Sequence, residues 1–104
     1  MILYIKKSYT LFKTEEYEDW VSDQPYKSQV QILSRLDLIE ELGYFGEHKF
    51  LDGTVWELKW ANGRRIYYSH IATLNVLIIL GGNKNGQNKD IAKARSILRK
   101  YTAT

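Results

Sequence analysis

Between Tyr26 and Leu42 the apolar positions fall at helical spacing: Ile32, Leu36 and Ile39 recur at i, i+4 and i+7, with Leu33 and Leu42 alongside. Such a stripe predicts an amphipathic helix with Lys27, Arg35 and Glu41 on its opposite side, closed by Gly43. Upstream, Thr14 is placed to start a shorter helix. Its first turns hold Glu15, Glu16 and Glu18, which suit the positive end of a helix, and it stops near Pro25. The two helices are expected to form an antiparallel hairpin at the N-terminal end of the fold. Residues Ile2 to Phe12 are rich in β-branched and aromatic types and predict a first strand.

After Gly46 the period changes from helical to alternating. His48 to Leu51, Val55 to Trp60, Arg64 to His70 and Leu74 to Leu80 read as strands, separated by turn signals at "LDGT", "WANGRR" and "HIAT". "VLIIL" is apolar on successive residues, as a central strand covered on both faces should be. Asn85 can cap a last helix, along which Ile91, Ala94, Leu98 and Tyr101 form one stripe. The pattern predicts an α+β fold: a twisted, mostly antiparallel sheet with helices packed on it.

The turn "WANGRR" decides which side chains share a face. A two-residue Asn62-Gly63 loop would set Trp60 opposite Arg65 and Lys59 opposite Ile66, mixing polar and apolar residues on each side. A three-residue loop, Ala61 to Gly63 with Gly63 at positive φ, pairs Leu58 with Ile66, Trp56 with Tyr68, Lys59 with Arg65 and Glu57 with Tyr67. One face is then core. The other gathers Glu57, Lys59, Arg65 and Tyr67, cross-strand neighbours whose Cβ atoms lie roughly 4.5 to 5.5 Å apart.

Composition narrows the chemistry. The 104 residues, 44% of them hydrophobic, suit one domain over residues 1–104 that buries roughly two-thirds of its unfolded surface. Cysteine is absent and only His48 and His70 could supply imidazole, so neither a metal nor another cofactor is expected. The longest apolar run, Val76 to Leu80, falls far short of the roughly 20 residues that span a bilayer. No secretory pattern opens the chain, and a soluble cytoplasmic protein with no membrane partner is predicted. The net charge of +3 hides a division: residues 1–52 carry six Lys/Arg against ten Asp/Glu, and residues 53–104 carry nine against two. A half at −4 is joined to a half at +7, and the second would attract a phosphate backbone or an acidic protein.

A strand-to-helix junction rich in amides and lysines reads "LGGNKNGQNKDIAKARSI", from Leu80 to Ile97. One glycine and a cap would satisfy the sterics of a strand-to-helix junction, whereas Lys84, Gln87 and Lys89 add anion-binding character. Together, "GTVWELKWANGRRIYY" and "LGGNKNGQNKDIAKAR" resemble the phage-derived killer-protein group of addiction-module toxins, within the RelE/HigB/ParE superfamily. The likeness runs from about Trp20 to Leu98, and the Gly-Gly-x-Lys-x-x-Gln-x-x-Asp-Ile-x-x-Ala pattern from Gly81 to Ala94 is its most specific part. It implies a RelE-like toxin fold and a type II toxin–antitoxin system. The implied activity is ribosome-dependent mRNA cleavage, and the implied partners are mRNA on the ribosome and a cognate antitoxin, often of helix-turn-helix type. The family's Glu-Leu-Arg strand corresponds to Glu57, Leu58 and Lys59, and its Gly-Tyr-Arg-x-Tyr segment to Gly63 through Tyr67. Lys59 and Arg64 depart from the pattern, one replacing an arginine and the other an aromatic residue.

Such cleavage needs no metal, because the 2′-hydroxyl of RNA attacks the adjacent phosphate once a base, cations and an acid are supplied. Arg65 is the candidate phosphate clamp, its planar fork matching two oxygens, unless it serves only as an ion pair to Glu57. Glu57 is a candidate base or an orienting partner for Arg65. Tyr67 is a candidate proton donor, stacking group or core residue, and Lys84 a further catalytic cation. Lys49, Lys59, Arg64, Gln87 and Lys89 are candidate RNA contacts. Gln87 and Asp90 can also satisfy the free N–H groups that open the last helix. His48 and His70 are acid–base candidates or structural residues. Two other functions stay open: a ParE-like inhibitor of DNA gyrase that cleaves nothing, and an inactive relative that only binds an antitoxin.

Overall fold

The computed structural model describes residues 8–103. A five-stranded mixed sheet has the order β1-β5-β4-β3-β2, built from β1 (Thr10–Lys13), β2 (His48–Asp52), β3 (Val55–Lys59), β4 (Arg64–Ala72) and β5 (Asn75–Asn83). Helices α1 (Glu15–Ser22) and α2 (Tyr26–Leu42) follow β1, and α3 (Gln87–Thr102) follows β5 through a 3-10 turn at Lys84–Gly86. The α+β class is as expected. The N-terminal helical hairpin is not: a strand comes first, and it pairs parallel to β5 from Thr10↔Asn75 to Lys13↔Ile78. A parallel pair cannot be closed by a tight turn, so the helices belong to the connection that separates β1 from its partner. Of the expected first strand, Thr10–Phe12 lies in β1, Ser8 and Tyr9 precede it, and Ile2 to Lys7 lie outside the described residues.

Thr14 ties the first helix to the sheet. Its Oγ1 accepts from the Tyr17 backbone N–H at 2.9 Å, the N-cap bond, and its hydroxyl donates to the Ile79 carbonyl at 2.6 Å. In α2, Ile32, Leu36 and Ile39 are buried as expected, whereas Leu33 and Leu42 stand exposed, so the inward stripe is narrower than predicted. Arg35 also departs from its expected solvent side. Its guanidinium donates to the carbonyls of Phe45, Glu47 and Lys59 and lies 4.3 Å from the Trp60 ring centroid, pinning the α2–β2 connection to the end of β3.

The β3–β4 register is Trp56↔Tyr68, Glu57↔Tyr67, Leu58↔Ile66 and Lys59↔Arg65, as the three-residue loop requires, with Gly63 at φ 97°. Two buried clusters lie on either side of the sheet. Tyr17, Ile32, Leu36 and Ile39 pack with Leu58, Ile66, Tyr68, Val76 and Ile78, and Ala94, Ile97 and Leu98 of α3 pack with Val55, Tyr67, Leu77, Ile79 and Leu80. The register of β5 against β4 shifts between Tyr67↔Leu80 and Tyr68↔Ile78, a bulge at Ile79. The bulge turns Ile79 and Leu80 toward the same cluster and feeds the α3 side of the core.

The paired glycines follow from packing. A Cβ on Gly81 would run into the Trp20 ring of α1, and a Cβ on Gly82 would run into the Asp90 carboxylate of α3. Successive residues of a strand face opposite sides, so β5 needs one bare position under each helix. The capping expectation changes at this junction. The Asn83 side chain, not that of Asn85, caps the turn by accepting from the Asn85 N–H at 2.9 Å, and Gly86 precedes α3. Ile97 takes the place predicted for Tyr101 in the inward stripe. Tyr101 reaches α1 instead, where its hydroxyl donates to Glu16 and accepts from the Glu15 N–H, both at 3.1 Å, beside a Lys100–Glu16 ion pair. Among the described residues no helix is long and apolar enough to cross a membrane.

The tight approach at Gly81 gives a direct check. Gly81→Ala should lower stability by about 1–3 kcal/mol, the usual range for overpacking, because an indole ring wedged against the sheet cannot yield as a flexible side chain can. Urea denaturation measures it, and a variant as stable as the wild type would show that Trp20 does not seal this position.

Candidate functional site

Glu57 sits at the centre of β3, between Lys49 of β2 and Tyr67 of β4 in register. The face it shares with Lys59, Arg65 and Tyr67 is not the open surface that strand alternation suggested. Helix α3 covers it, because its own apolar stripe needs a partner and the opposite face is already filled by α1 and α2. Glu57 is consequently 1% exposed and Tyr67 is fully buried.

A buried carboxylate requires compensation. Gln87, in the first turn of α3, supplies it: the side-chain amide Nε2 donates to Glu57 Oε2 at 2.8 Å and to Oε1 at 3.1 Å. Arg65 adds charge, with Nε 3.9 Å from Oε2, an ion-pair distance without a hydrogen bond. Its Nη1 donates to the Arg64 carbonyl at 3.0 Å and weakly to that of Trp60 at 3.4 Å, and the side chain keeps 12% of its surface. The guanidinium is thus held through Nη1, with Nε facing the buried carboxylate and a small part of the side chain left exposed.

The pocket around Glu57 is incompletely satisfied. Arg65 Nε and the Tyr67 hydroxyl are buried with no hydrogen-bond partner. Burial first, then the charges of Glu57 and Asp90, hold the Tyr67 phenol well above its ordinary range, so it stays protonated. Asp90, against Gly82, has its carboxyl pushed up by burial, partly offset by Lys93 and Lys89.

Cations gather at one end of this face. Lys59 and Arg65 are register partners, and Arg65 in turn pairs with Gly82. Lys59 is 30% exposed and 3.7 Å from Glu47. The exposed Lys84 lies over Gly63, its backbone N–H donating to the Gly63 carbonyl at 2.8 Å and its stem passing at contact distance from where a Gly63 Cβ would be. Lys84, Gln87 and Lys89 border one surface recess of ≈ 370 Å³. Lys49 is exposed on β2, opposite Glu57 in register.

Arg64 is not brought into this group. Adjacent to Arg65, it points to the other face, where it is 8% exposed, donates to Gln31 of α2 at 3.3 Å and lies 5.3 Å from the Trp60 ring centroid. His48 and His70 are also apart, within an aromatic group that includes Phe45, Trp56 and Tyr68. Two contacts were missed by pattern reading: the Gln87–Glu57 pair, spanning 30 residues, and the Trp60 ring flanked by Arg35 and Arg64. A glutamine opening a helix beside two glycines was the available signal for the first, and nothing in the spacing signals the second.

No protein-family model matches the chain. It is 27% identical over 85 residues to a protein of Haemophilus influenzae named only as an uncharacterized protein, a match covering 79% of this chain and 85% of that one. Among solved structures it is similar to a chain of the toxin–antitoxin complex RelBE2 from Mycobacterium tuberculosis, with a TM-score of 0.60 and 16% identity, covering 73% of this chain and 91% of that one. The likeness shows a shared fold.

Two substitutions at the Glu57 pocket should move stability in opposite directions. Gln87→Ala strips the carboxylate of both its hydrogen bonds and should cost about 1–3 kcal/mol. Tyr67→Phe removes an unpaired buried hydroxyl while keeping the ring, and should be neutral or stabilising by up to about 1 kcal/mol. Chemical denaturation of the two variants measures both; a destabilising Tyr67→Phe would mean that the hydroxyl is bonded in solution.

Proposed function

We propose that this protein is the toxin of a toxin–antitoxin pair, and that it acts in the cytoplasm by cutting mRNA on the ribosome without a metal. The observation that carries this reading is the set of cations at one end of the sheet: Arg65, Lys59 and Lys84 lie together, with Arg65 held from behind by a buried carboxylate. The fold shared with a chain of a toxin–antitoxin complex supports the toxin role and an antitoxin partner. A helix-turn-helix antitoxin would fit the family resemblance.

In this reading the protein's chemistry is chiefly electrostatic. The substrate's 2′-hydroxyl gives its proton to water and attacks its neighbouring phosphate, the P–O5′ bond breaks to leave a 2′,3′-cyclic phosphate, the departing 5′-oxygen takes a proton from water, and Arg65 meets the charge that builds on the phosphate oxygens. Glu57 is a positioning residue: both of its oxygens are bonded to Gln87 and it has almost no surface, so it fixes the Arg65 fork and takes no proton from the substrate. Tyr67 supports the same pocket from within. Lys84 and Lys59 add positive charge on either side of Arg65, and Lys49 and Lys89 extend the path for the RNA backbone. Arg64, turned to the opposite face, braces Trp60.

Arg65→Ala should lower RNA cleavage by about 10² to 10³, the range for loss of one preorganised donor, and Arg65→Lys should recover only part because an ammonium cannot form two parallel N–H bonds. Mapping RNA ends in a translating extract, with denaturation run on each variant, separates lost chemistry from lost folding. A folded Arg65→Ala protein with undiminished cleavage would remove this site. Intact messages with altered DNA supercoiling would replace the RNA reading by inhibition of a topoisomerase.

A further inference from the structure

The other side of the sheet carries the opposite charge. Residues 15–42, spanning α1 and α2, hold eight carboxylates against Lys27 and Arg35, whereas α3 holds five cations against Asp90. Between α1 and α2 lies a groove of ≈ 320 Å³, floored by Tyr17, Val21, Ile32 and Leu36, with Lys13 and Glu18 among its lining residues. Along its lip Tyr26, Val30 and Leu33 are 81%, 44% and 54% exposed. Their spacing of i, i+4 and i+7 makes them a second, outward apolar stripe beside the inward one.

One and two turns beyond Leu33 the same stripe continues as Asp37 and Glu40, with Glu41 beside them. These carboxylates crowd the negative end of the α2 dipole. The helix has no basic residue in its last turn and no acidic one in its first, where Lys27 stands, so its charges are arranged against its own field. Among the described residues none of Asp37, Glu40 and Glu41 has an ion-pair partner. An apolar lip that runs into carboxylates unpaired among the described residues is a conflict between local chemistry and stability, of the kind natural sequences keep at functional surfaces.

We infer that the α1–α2 groove and the outer face of α2 are a docking surface for a cationic amphipathic helix of a partner protein. Its apolar residues seat over Tyr26, Val30 and Leu33, and its Lys or Arg side chains, one to two turns further on, meet Asp37, Glu40 and Glu41. RNA and anionic lipid are repelled by these carboxylates. A second copy of the chain offers cations on α3, but the apolar stripe of that helix is already buried against its own sheet and cannot fill the groove. The surface lies across the sheet from Arg65, so an occupant leaves the cationic site open. The inference does not depend on RNA cleavage.

The probe is a stapled helical peptide with leucines at i, i+4 and i+7 followed by lysines one and two turns on, and its control carries glutamates in place of those lysines. The lysine peptide should bind the full chain with affinity that falls as salt rises, and should shift the backbone amide resonances of Val30, Leu33, Asp37 and Glu40. Leu33→Asp should weaken it at least about tenfold, as loss of a central apolar anchor does. The Asp37→Lys/Glu40→Lys double variant should reverse the preference between the two peptides. All three positions are exposed, so folding is not at stake. Equal binding of both peptides, or shifts confined to α3, would overturn the proposal. Contacts between residues 1–7 and Leu33 in the free protein would overturn it by showing the groove already filled. A concentration-dependent dimer abolished by Leu33→Asp would overturn it in favour of a second copy.

Discussion

The structure around the candidate site depends on one carboxylate placed where water cannot reach it. Glu57 lies under α3 with 1% of its surface exposed, and a charge so placed is tolerated only when its oxygens are bonded and a countercharge is near. Gln87 and Arg65 meet these needs from two directions, one from the start of α3 and the other from β4. The same contacts therefore fix where α3 begins relative to the sheet and where the Arg65 guanidinium points. Burial of an ion beneath a helix is a poor source of stability by itself. Here it sets a countercharge beside Arg65, whose Nε edge faces inward while Nη1 bonds the Arg64 and Trp60 carbonyls.

Much of this frame was legible locally. A three-residue turn set the β3–β4 register because any slip of one residue would have exchanged the apolar face and the face of Glu57, and Ile66 and Tyr68 left only one consistent answer. The α2 stripe of Ile32, Leu36 and Ile39 was equally plain. What lay beyond reach was tertiary. Alternation along β3 says that Glu57 and Tyr67 share a face but not that α3 covers it. Neighbouring arginines at 64 and 65 look alike as charges, and only the pleat assigns Arg65 to the cationic site and Arg64 to Trp60. The parallel pairing of β1 lay out of reach because its partner, Asn75 to Ile78, lies some 65 positions along the chain. Arg35 was placed toward solvent by periodicity, and the backbone carbonyls that hold it come from a loop and a strand end that periodicity does not describe.

The sheet separates two layers of unlike charge. Cations surround the α3 side, and carboxylates dominate α1 and α2, so the molecule has a strong polarity through its thickness. A phosphate backbone approaching from solution is attracted by one face and repelled by the other, which orients it before any short-range contact forms. The double glycine is the mechanical counterpart of this division. Gly81 lets Trp20 of the acidic layer close on β5, Gly82 lets Asp90 of the basic layer close on its other side, and the two layers are held one strand apart.

The central claim is that Arg65 meets RNA phosphate with its outer tip while Glu57 and Gln87 stay locked behind it. Nuclear magnetic resonance of the arginine and glutamine side chains, titrated with a 2′-O-methyl RNA that binds but cannot cyclise, tests this most directly. The account predicts that the Arg65 Nη signals shift on binding, that the Gln87 side-chain amide keeps its position, and that α1 and α2 are silent. RNA-induced shifts that bypass Arg65, or that fall on the carboxylate-rich face of α2, would contradict it.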